Sequence, residues 1–527
     1  MTAEDDESIQ SSTNFWSPFG EPQYDKSDAE KTMVLSDLGW CIASSTLYMQ
    51  EGVRTITSVL DFGTAALTDI TDGYLADRFD VFFSGETAWI SVDAERITVE
   101  KIIDDYEKLQ FTMILEETQP AVIPYDKILD VDYPLTTDQP CMKVLLKQTS
   151  DENIYAKLKN LTLENISLGV EVKGITQLNL FNDSWNIDHE KPFYPFETYP
   201  VLESHFYIGY KEIFQKSTDT VSLKMNWQRA PENMGDRYKA YYGILVLPIQ
   251  EKIRTIIALL QGETPETITS ELTTALEAAA TAVTAFDLAT VILELGNASS
   301  ATSSEAITEA ITEAITETEA VNLNFISNEN FEAEVHILDQ GNWTPTDQNI
   351  PISLFDLTDA SNENTAEFDF PILTGLSTDQ KKNLDTSHFT LSSRNGFLRL
   401  TLSNPTITEG QQPFSAFGYE EYPEIFSTIT GNNNEILSER IIAENKQAVA
   451  EVQGETVPTI GPEIPPMPLP KKPYELVLNQ FSLDYTAQEN ISLSANTTSE
   501  SQCFQLNPFG HKVLDKHEPL LAQYTME

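Results

Sequence analysis

Basic residues are scarce in this chain. Its 527 residues hold 32 Lys and Arg and 6 His against 82 Asp and Glu, a formal charge of −50. Binding to nucleic acid or to an anionic membrane rests on Lys and Arg displacing counterions, so this balance excludes a nucleic-acid partner. Cysteine is rarer still. Cys41, Cys141 and Cys503 lie far apart in sequence and match no CxxC spacing. A disulfide framework or zinc site is therefore without support, and buried small hydrophobes are expected. Long apolar runs are missing too. The best stretches, 256–260 and 275–295, are interrupted by Thr, Glu and Asp, so no membrane span is expected. The first ten residues are acidic and lack the basic-then-apolar pattern of a signal peptide, which points to synthesis in the cytosol.

Catalytic signatures are absent as well. Adjacent carboxylates such as Asp5-Asp6, Asp104-Asp105 and Glu420-Glu421 arise by chance in so acidic a chain. A glycosidase needs two carboxylates several ångström apart across a cleft, which adjacency does not supply. The histidines His189, His205, His336, His388, His511 and His517 are scattered, and none falls in HExxH. There is no GxSxG, no phosphate-cradling glycine loop, no GxGxxG and no EF-hand loop. The residues thus offer no catalytic group, metal site or cofactor site.

Apolar packing material, by contrast, is plentiful. Hydrophobic residues make up 40% and aromatics 10%, with 26 Phe, 19 Tyr and 6 Trp, which excludes a disordered acidic tail. The acidity then has a plain reading, a hydrated surface suited to salt-rich surroundings, and a second one, the steering of a partner.

Organisation follows from texture. Residues 1–30 form an acidic arm whose Phe15, Trp16 and Phe19 are expected to dock on a fold or a neighbour. Residues 31–135 read as an α+β domain, with a helix over 37–51 closed by Gly52 and strands over 54–62, 82–90 and 111–115. Residues 136–247 are β-rich, with alternation over 155–181 and strands at 205–208 and 221–227. Between them, residues 182–200 form a Pro- and aromatic-rich loop. Prolines fix its backbone while Phe and Tyr supply contact area, so it is either a rigid docking loop or a loop folded back on its own sheet.

Residues 248–321 change character, becoming rich in Ala, Thr and Glu. Here a tetrad repeat places Ile307, Ile311 and Ile315 on a helical stripe that drifts about 40° per step. Glu residues stacked at i,i+4 oppose this helix, which needs a partner surface unless the segment is a low-complexity insert in a surface loop; composition favours the insert. Residues 322–445 return to β texture, with an Asn395-Gly396 hairpin expected over 389–402. Residues 446–473 read as a stiff Pro-rich linker, and 474–527 as the start of a further β-domain. The expected class is α+β, predominantly β, as an elongated multidomain protein with a helical insertion.

Two runs carry a resemblance: KPFYPFETYPVLESHFYIGYKEIF at 191–214 and LKMNWQRAPENMGDRYKAYY at 223–242. With DLGWCIASSTLYMQEGVRTI at 37–56, FSGETAWI at 83–90, PAVIPYD at 120–126, NGFLRLTLSNP at 395–405, AFGYEEYPEIF at 416–426, FSLDYTA at 481–487 and FQLNPFGH at 504–511, the chain resembles the baseplate wedge proteins of extracellular contractile injection systems, related to phage baseplate J proteins. The likeness excludes the arm and the 248–320 segment. Glu197 departs from it, standing where such proteins tend to carry Gly.

The resemblance implies a structural, non-enzymatic role. Wedges pair with a second wedge protein, form a sixfold ring with copies of themselves around the spike and hub, and attach the sheath. The particle would be assembled in a bacterial cytoplasm, then released or membrane-anchored. It also implies a chain continuing beyond Glu527. The interface candidates are Phe15, Trp16, Trp185, Phe193, Tyr194, Phe196, Phe206, Tyr207 and Trp227. The alternative is an acidic surface or secreted β-protein, an adhesin or polysaccharide hydrolase.

Overall fold

Period-two alternation is the chain's strongest local signal, and strands dominate the computed structural model. It describes residues 39–491, 495–496 and 501–502, apart from 64–74, 76, 104–106, 131–134, 148–157, 159–160, 162, 261–267, 347–349, 356–362, 372, 374–380, 382, 408, 455–460 and 492–494. The arm with Phe15 and Trp16, together with Cys503, His511 and His517, lies outside these residues. The class is α+β with β predominating, in antiparallel sheets. The described residues divide into two compact units, those within 1–175, 215–219 and 484–527, and those within 176–214 and 220–483.

In the first unit, β1 (Gly39–Ala43), β7 (Cys141–Leu146), β3 (Phe79–Ser84) and β4 (Trp89–Ser91) form one sheet in that order. The neighbouring strands β8 (Asn165–Ile175), β2 (Val53–Asp61), β6 (Glu107–Leu115) and β5 (Ile97–Ile103) belong to a second. Strand β2 alternates strictly between half-buried and buried positions, the pattern of a sheet with one face on a core. Phe111 meets Phe79 and Trp40 edge-on, with ring centroids 5.1 and 5.9 Å away, and so joins the two sheets.

The helix expected over 37–51 is not formed. Trp40, Cys41, Ile42 and Ala43 are all buried, and pairing along β7 satisfies their backbone. A run apolar on every side is ambiguous between helix and strand, and tertiary pairing decides it. Ser44 and Thr46 then turn the chain, each donating a hydroxyl to Glu489, at 2.5 and 2.7 Å. Gly52 does adopt φ +81°, but as the turn into β2.

In the second unit, β10 (Asn186–Ile187), β9 (Asn179–Asn182), β11 (His205–Gly209), β17 (Phe397–Leu402), β13 (Glu332–Asp339) and β14 (Asn342–Pro345) make a sheet in that order. One face is apolar: Phe206, Leu400 and Val335 stand in register, as do Ile208, Leu398 and Ile337. The expected 389–402 hairpin is corrected here, because residues 389–391 pair with no strand and β17 lies between β11 and β13. The Asn-Gly turn is real, with Gly396 at φ +94°, but Asn395 accepts from Gln340 N–H and so docks on the β13–β14 turn. Phe389 stacks on Tyr207 instead, centroids 4.2 Å apart.

The 248–321 segment is corrected from an insert in a surface loop to a packed bundle. Its helices are α1 (Gly243–Leu260), α2 (Ser270–Ala285), α3 (Leu288–Ala301) and α4 (Glu305–Ala320). Thr269 and Asp287 cap α2 and α3 through their side chains. On α4 the buried set is Ile307, Ile311, Ala314 and Thr318, while Ile315 is half-buried. The drift explains this, since by Ile315 the stripe has turned about 80° off the contact and the i+7 residue Ala314 replaces it. The Glu residues face away, and Glu313 pairs with Lys252 at 2.8 Å.

The Pro-rich 446–473 segment is no free linker. Its start belongs to a long helix, α5 (Tyr422–Gln453), and residues 461–473, which take no regular secondary structure, are tied to the helices by side-chain hydrogen bonds. Asn433 holds this strap twice, donating Nδ2 to Met467 O and accepting from Met467 N–H, each at 2.8 Å. Gln250 donates to Pro465 O at 2.9 Å and Tyr241 to Lys471 O at 2.8 Å. Prolines donate no N–H of their own, so outside side chains must answer the strap's carbonyls. Asn433→Ala is expected to cost about 2 kcal/mol by leaving two buried backbone groups unpaired. Urea unfolding checks this, and limited proteolysis should show faster cleavage between residues 461 and 473. Residues 474–477 lead into β18 (Leu478–Ile491), a strand of the sheet that also holds β8 and β2, while 503–527 of the expected further β-domain lie outside the described residues.

Candidate functional site

The Pro/aromatic loop was the sequence's foremost candidate, and the structure folds it back on its own sheet. Phe193 exchanges both backbone hydrogen bonds with Leu478, at 3.0 and 2.9 Å. Phe196 and Phe206 pack edge to face at 6.1 Å, and Phe206 meets Phe481 at 5.3 Å. Trp227 is buried as well, donating its indole N–H to Leu354 O at 2.7 Å. Of the described interface candidates, Phe193, Phe196, Phe206, Tyr207 and Trp227 are therefore core residues. Tyr194 is half-buried, and Trp185, 50% exposed, is the one presented to solvent. Asn182 presents it by accepting from the N–H groups of Ser184 and Trp185 and donating to Tyr194 O.

Glu197, at the position where the resemblance implies Gly, adopts φ +71°. Glu197 thus carries a left-handed backbone, which costs an L-residue about 1 kcal/mol or more. Ser184 donates its hydroxyl to the Glu197 carboxylate. Glu197→Gly is expected to stabilise the second unit by about 1 kcal/mol, read as a higher urea midpoint.

The other face of the same sheet brings together residues that sequence distance kept apart. Register sets Tyr207, Arg399 and His336 side by side across β11, β17 and β13, and His205, Thr401 and Glu334 one step along. Asp183, just after β9, accepts from His205 Nδ1 at 3.1 Å, from His205 N–H at 2.9 Å and from the Tyr207 hydroxyl at 3.0 Å. Arg399 lays its guanidinium on the Trp343 ring, 4.5 Å from the centroid. At one end this face closes into an aromatic cluster of Phe181, Tyr207, Phe397, Phe389 and Trp343, which reaches across the sheet from β9 to β14. At its other end it opens into a cleft of about 610 Å³ lined by His205, His336, Arg399, Thr401 and Ser403, with Glu203 and Glu334 at hand.

Four buried polar atoms here have no hydrogen-bond partner among the described residues: His336 Nδ1, Arg399 Nε, Thr401 Oγ1 and Ser403 Oγ. Burial pushes the His336 pKa down, and the charge of Arg399 adds to the effect. Burial likewise lowers Arg399, and it raises the Tyr207 phenol, which the Asp183 carboxylate pushes up further. The site holds imidazoles, a guanidinium, hydroxyls and carboxylates, a set suited to binding polar ligands. Sequence reading placed Asp183 and His205 in the 182–209 segment and Arg399, Thr401 and Ser403 in the 395–405 motif, named His336 only as a scattered histidine, and gave none of them a role in a polar site.

Elsewhere the fold joins Cys41 and Cys141, which sequence spacing separated. Both are buried free thiols in one cluster with Ala43 and Tyr125. Hydrogen bonding to Cys141 and burial push the Cys41 thiol up, away from the reactive thiolate. Among the described residues no group of three or more His, Cys, Asp or Glu side chains is placed to hold a metal ion. No helix of the described residues is long and apolar enough to cross a membrane. No protein-family model matches the chain, and no curated protein matches it.

Proposed function

We propose that the chain is a structural baseplate component of a phage-tail-like contractile injection system. The observation that carries this reading is the run of aromatic and Pro/Gly motifs in one order from 37–56 to 504–511. Two of these runs also build the core of this chain. The 191–214 run supplies Phe193, Phe196 and Phe206 to a core, and the 223–242 run supplies Trp227, Tyr238, Tyr241 and Tyr242. Tyr238, 5.1 Å from Phe414, also accepts from Tyr474 N–H, so this run ties the strap to the entrance of the bundle.

The distal half of α5 suits an assembling subunit. Leu437, Ile441, Ile442, Val449 and Val452 are exposed along a helix of 32 residues, about 48 Å. A monomer with this much charge has no need of such a stripe, whereas a wedge contacting neighbouring subunits does. In this reading the protein is made in a bacterial cytoplasm and built into a sixfold ring with a second wedge protein, around the spike and hub, where ring rearrangement releases the sheath. Tagged protein from cells that encode it should co-sediment with sheath and tube proteins, as identified by mass spectrometry and negative-stain imaging. Recovery solely as free monomer overturns the proposal.

A further inference from the structure

The cleft on the polar face of the β11–β17–β13 sheet carries unanswered hydrogen-bonding capacity that is not random in kind. Arg399 is a donor throughout, and Thr401, Ser403 and His336 each have a donor to offer. Among the described residues none accepts a hydrogen bond from the Arg399 guanidinium, whose Cζ lies over the Trp343 ring, 4.5 Å from its centroid. A half-buried cation without an acceptor is costly, and a planar carboxylate answers its two parallel N–H groups.

The acidic neighbours do not fill this role. Asp183 is engaged by His205 and Tyr207, and Glu332 by Thr406, whose N–H and hydroxyl reach it at 3.1 and 2.8 Å. Glu334 lies 3.7 Å from His336 and is half-exposed. Glu203, beside the cleft, adopts φ +66°, a backbone strain of the kind that gathers at functional sites. These carboxylates and Asn404 can accept from hydroxyl groups, and Leu202, Leu402 and Pro351 supply apolar wall. One ligand class offers a carboxylate, several hydroxyls and an apolar ring face together.

We propose that this cleft is a binding site for an acidic sugar, a hexuronate whose carboxylate sits on Arg399 and whose hydroxyls meet Glu203 and Glu334. The site rests on the sheet's own geometry and stands whatever assembly the chain serves. Its volume, about 610 Å³, falls within the range of small-ligand sites. Binding here is recognition without bond making or breaking.

Isothermal titration of the full chain at neutral pH tests this, with methyl galacturonoside compared with methyl galactoside, which replaces the carboxylate by a hydroxymethyl group. The uronoside should bind at least about 10-fold more tightly, the discrimination of one charge-assisted hydrogen bond. Arg399→Gln should weaken the uronoside about 10- to 100-fold and leave the galactoside unchanged. Arg399→Lys, which keeps the charge and loses the fork, serves where the Gln variant fails to fold, and circular dichroism monitors both. Equal affinity for the two sugars overturns the proposal, as does uronoside binding that the folded Arg399 variant retains in full. Inorganic phosphate or acetate binding as tightly as the uronoside would reveal a generic anion site and overturn it too. So would the absence of both heat and a saturation-transfer NMR signal at tens of millimolar uronoside.

Discussion

Arg54→Met should cost the first unit about 3–5 kcal/mol, the largest loss expected from a single polar side chain in this protein. Arg54 is fully buried at a core position of β2, where alternation would otherwise place an aliphatic residue. Its guanidinium donates to Pro120 O at 2.7 Å, to Gln119 O at 2.8 Å and to Glu116 O at 3.0 Å. The fork thereby gathers the loop that follows β6, and each bond to a charged donor contributes about 1.5–3 kcal/mol before the cost of burying the cation is set against it. Methionine keeps the stem's packing and removes all three donors, so the loss isolates hydrogen bonding from cavity formation. Arg54→Lys should fall between the two, because one ammonium cannot span three carbonyls arranged around a planar fork. Urea unfolding of the first unit measures this, and an Arg54→Met variant within about 1 kcal/mol of wild type would mean that water replaces the fork at little cost.

Arg54 also marks where sequence reading succeeds and stops. The strand over 54–62 was legible from its alternation, but the hydrogen-bonding role of the Arg within it was not read. Its partners, more than sixty residues away, were not legible. The same contrast runs through the fold. Strands β2, β11 and β12 (Thr218–Trp227) and the helical 248–321 segment lay within a residue or a few of their expected places, because period two and period 3.6 are local signals. The misread elements depend on distant chain. Gly39–Ala43 becomes a strand through β7, about a hundred residues on, and the Asn395-Gly396 turn serves β13–β14 instead of a hairpin. The strap reads as a linker until Asn433 and Gln250 answer its backbone. The polar cleft was illegible for the same reason, since register alone aligns 207, 336 and 399.

Phe196→Ala should cost the second unit about 3–5 kcal/mol, since Phe196 is 1% exposed and packs on Phe206 beside Phe193. A sequence-only reading would expect this change, paired with Phe193→Ala, to leave the chain folded and remove an assembly contact. The rings instead form the underside of the loop, so loss of assembly in such a variant reports loss of folding. Trp185, 50% exposed, and Tyr199, 75% exposed, are the side chains that separate the two effects. Replacing either with Ala should change stability by less than about 0.5 kcal/mol, as for a surface residue with few contacts. If the Pro-rich loop docks on a neighbour, the Trp185→Ala protein unfolds at the wild-type urea midpoint yet fails to co-sediment with sheath and tube. Full co-sedimentation of both surface variants would leave the loop a purely internal brace, and the docking contact of the proposed wedge would then belong to the exposed stripe of α5.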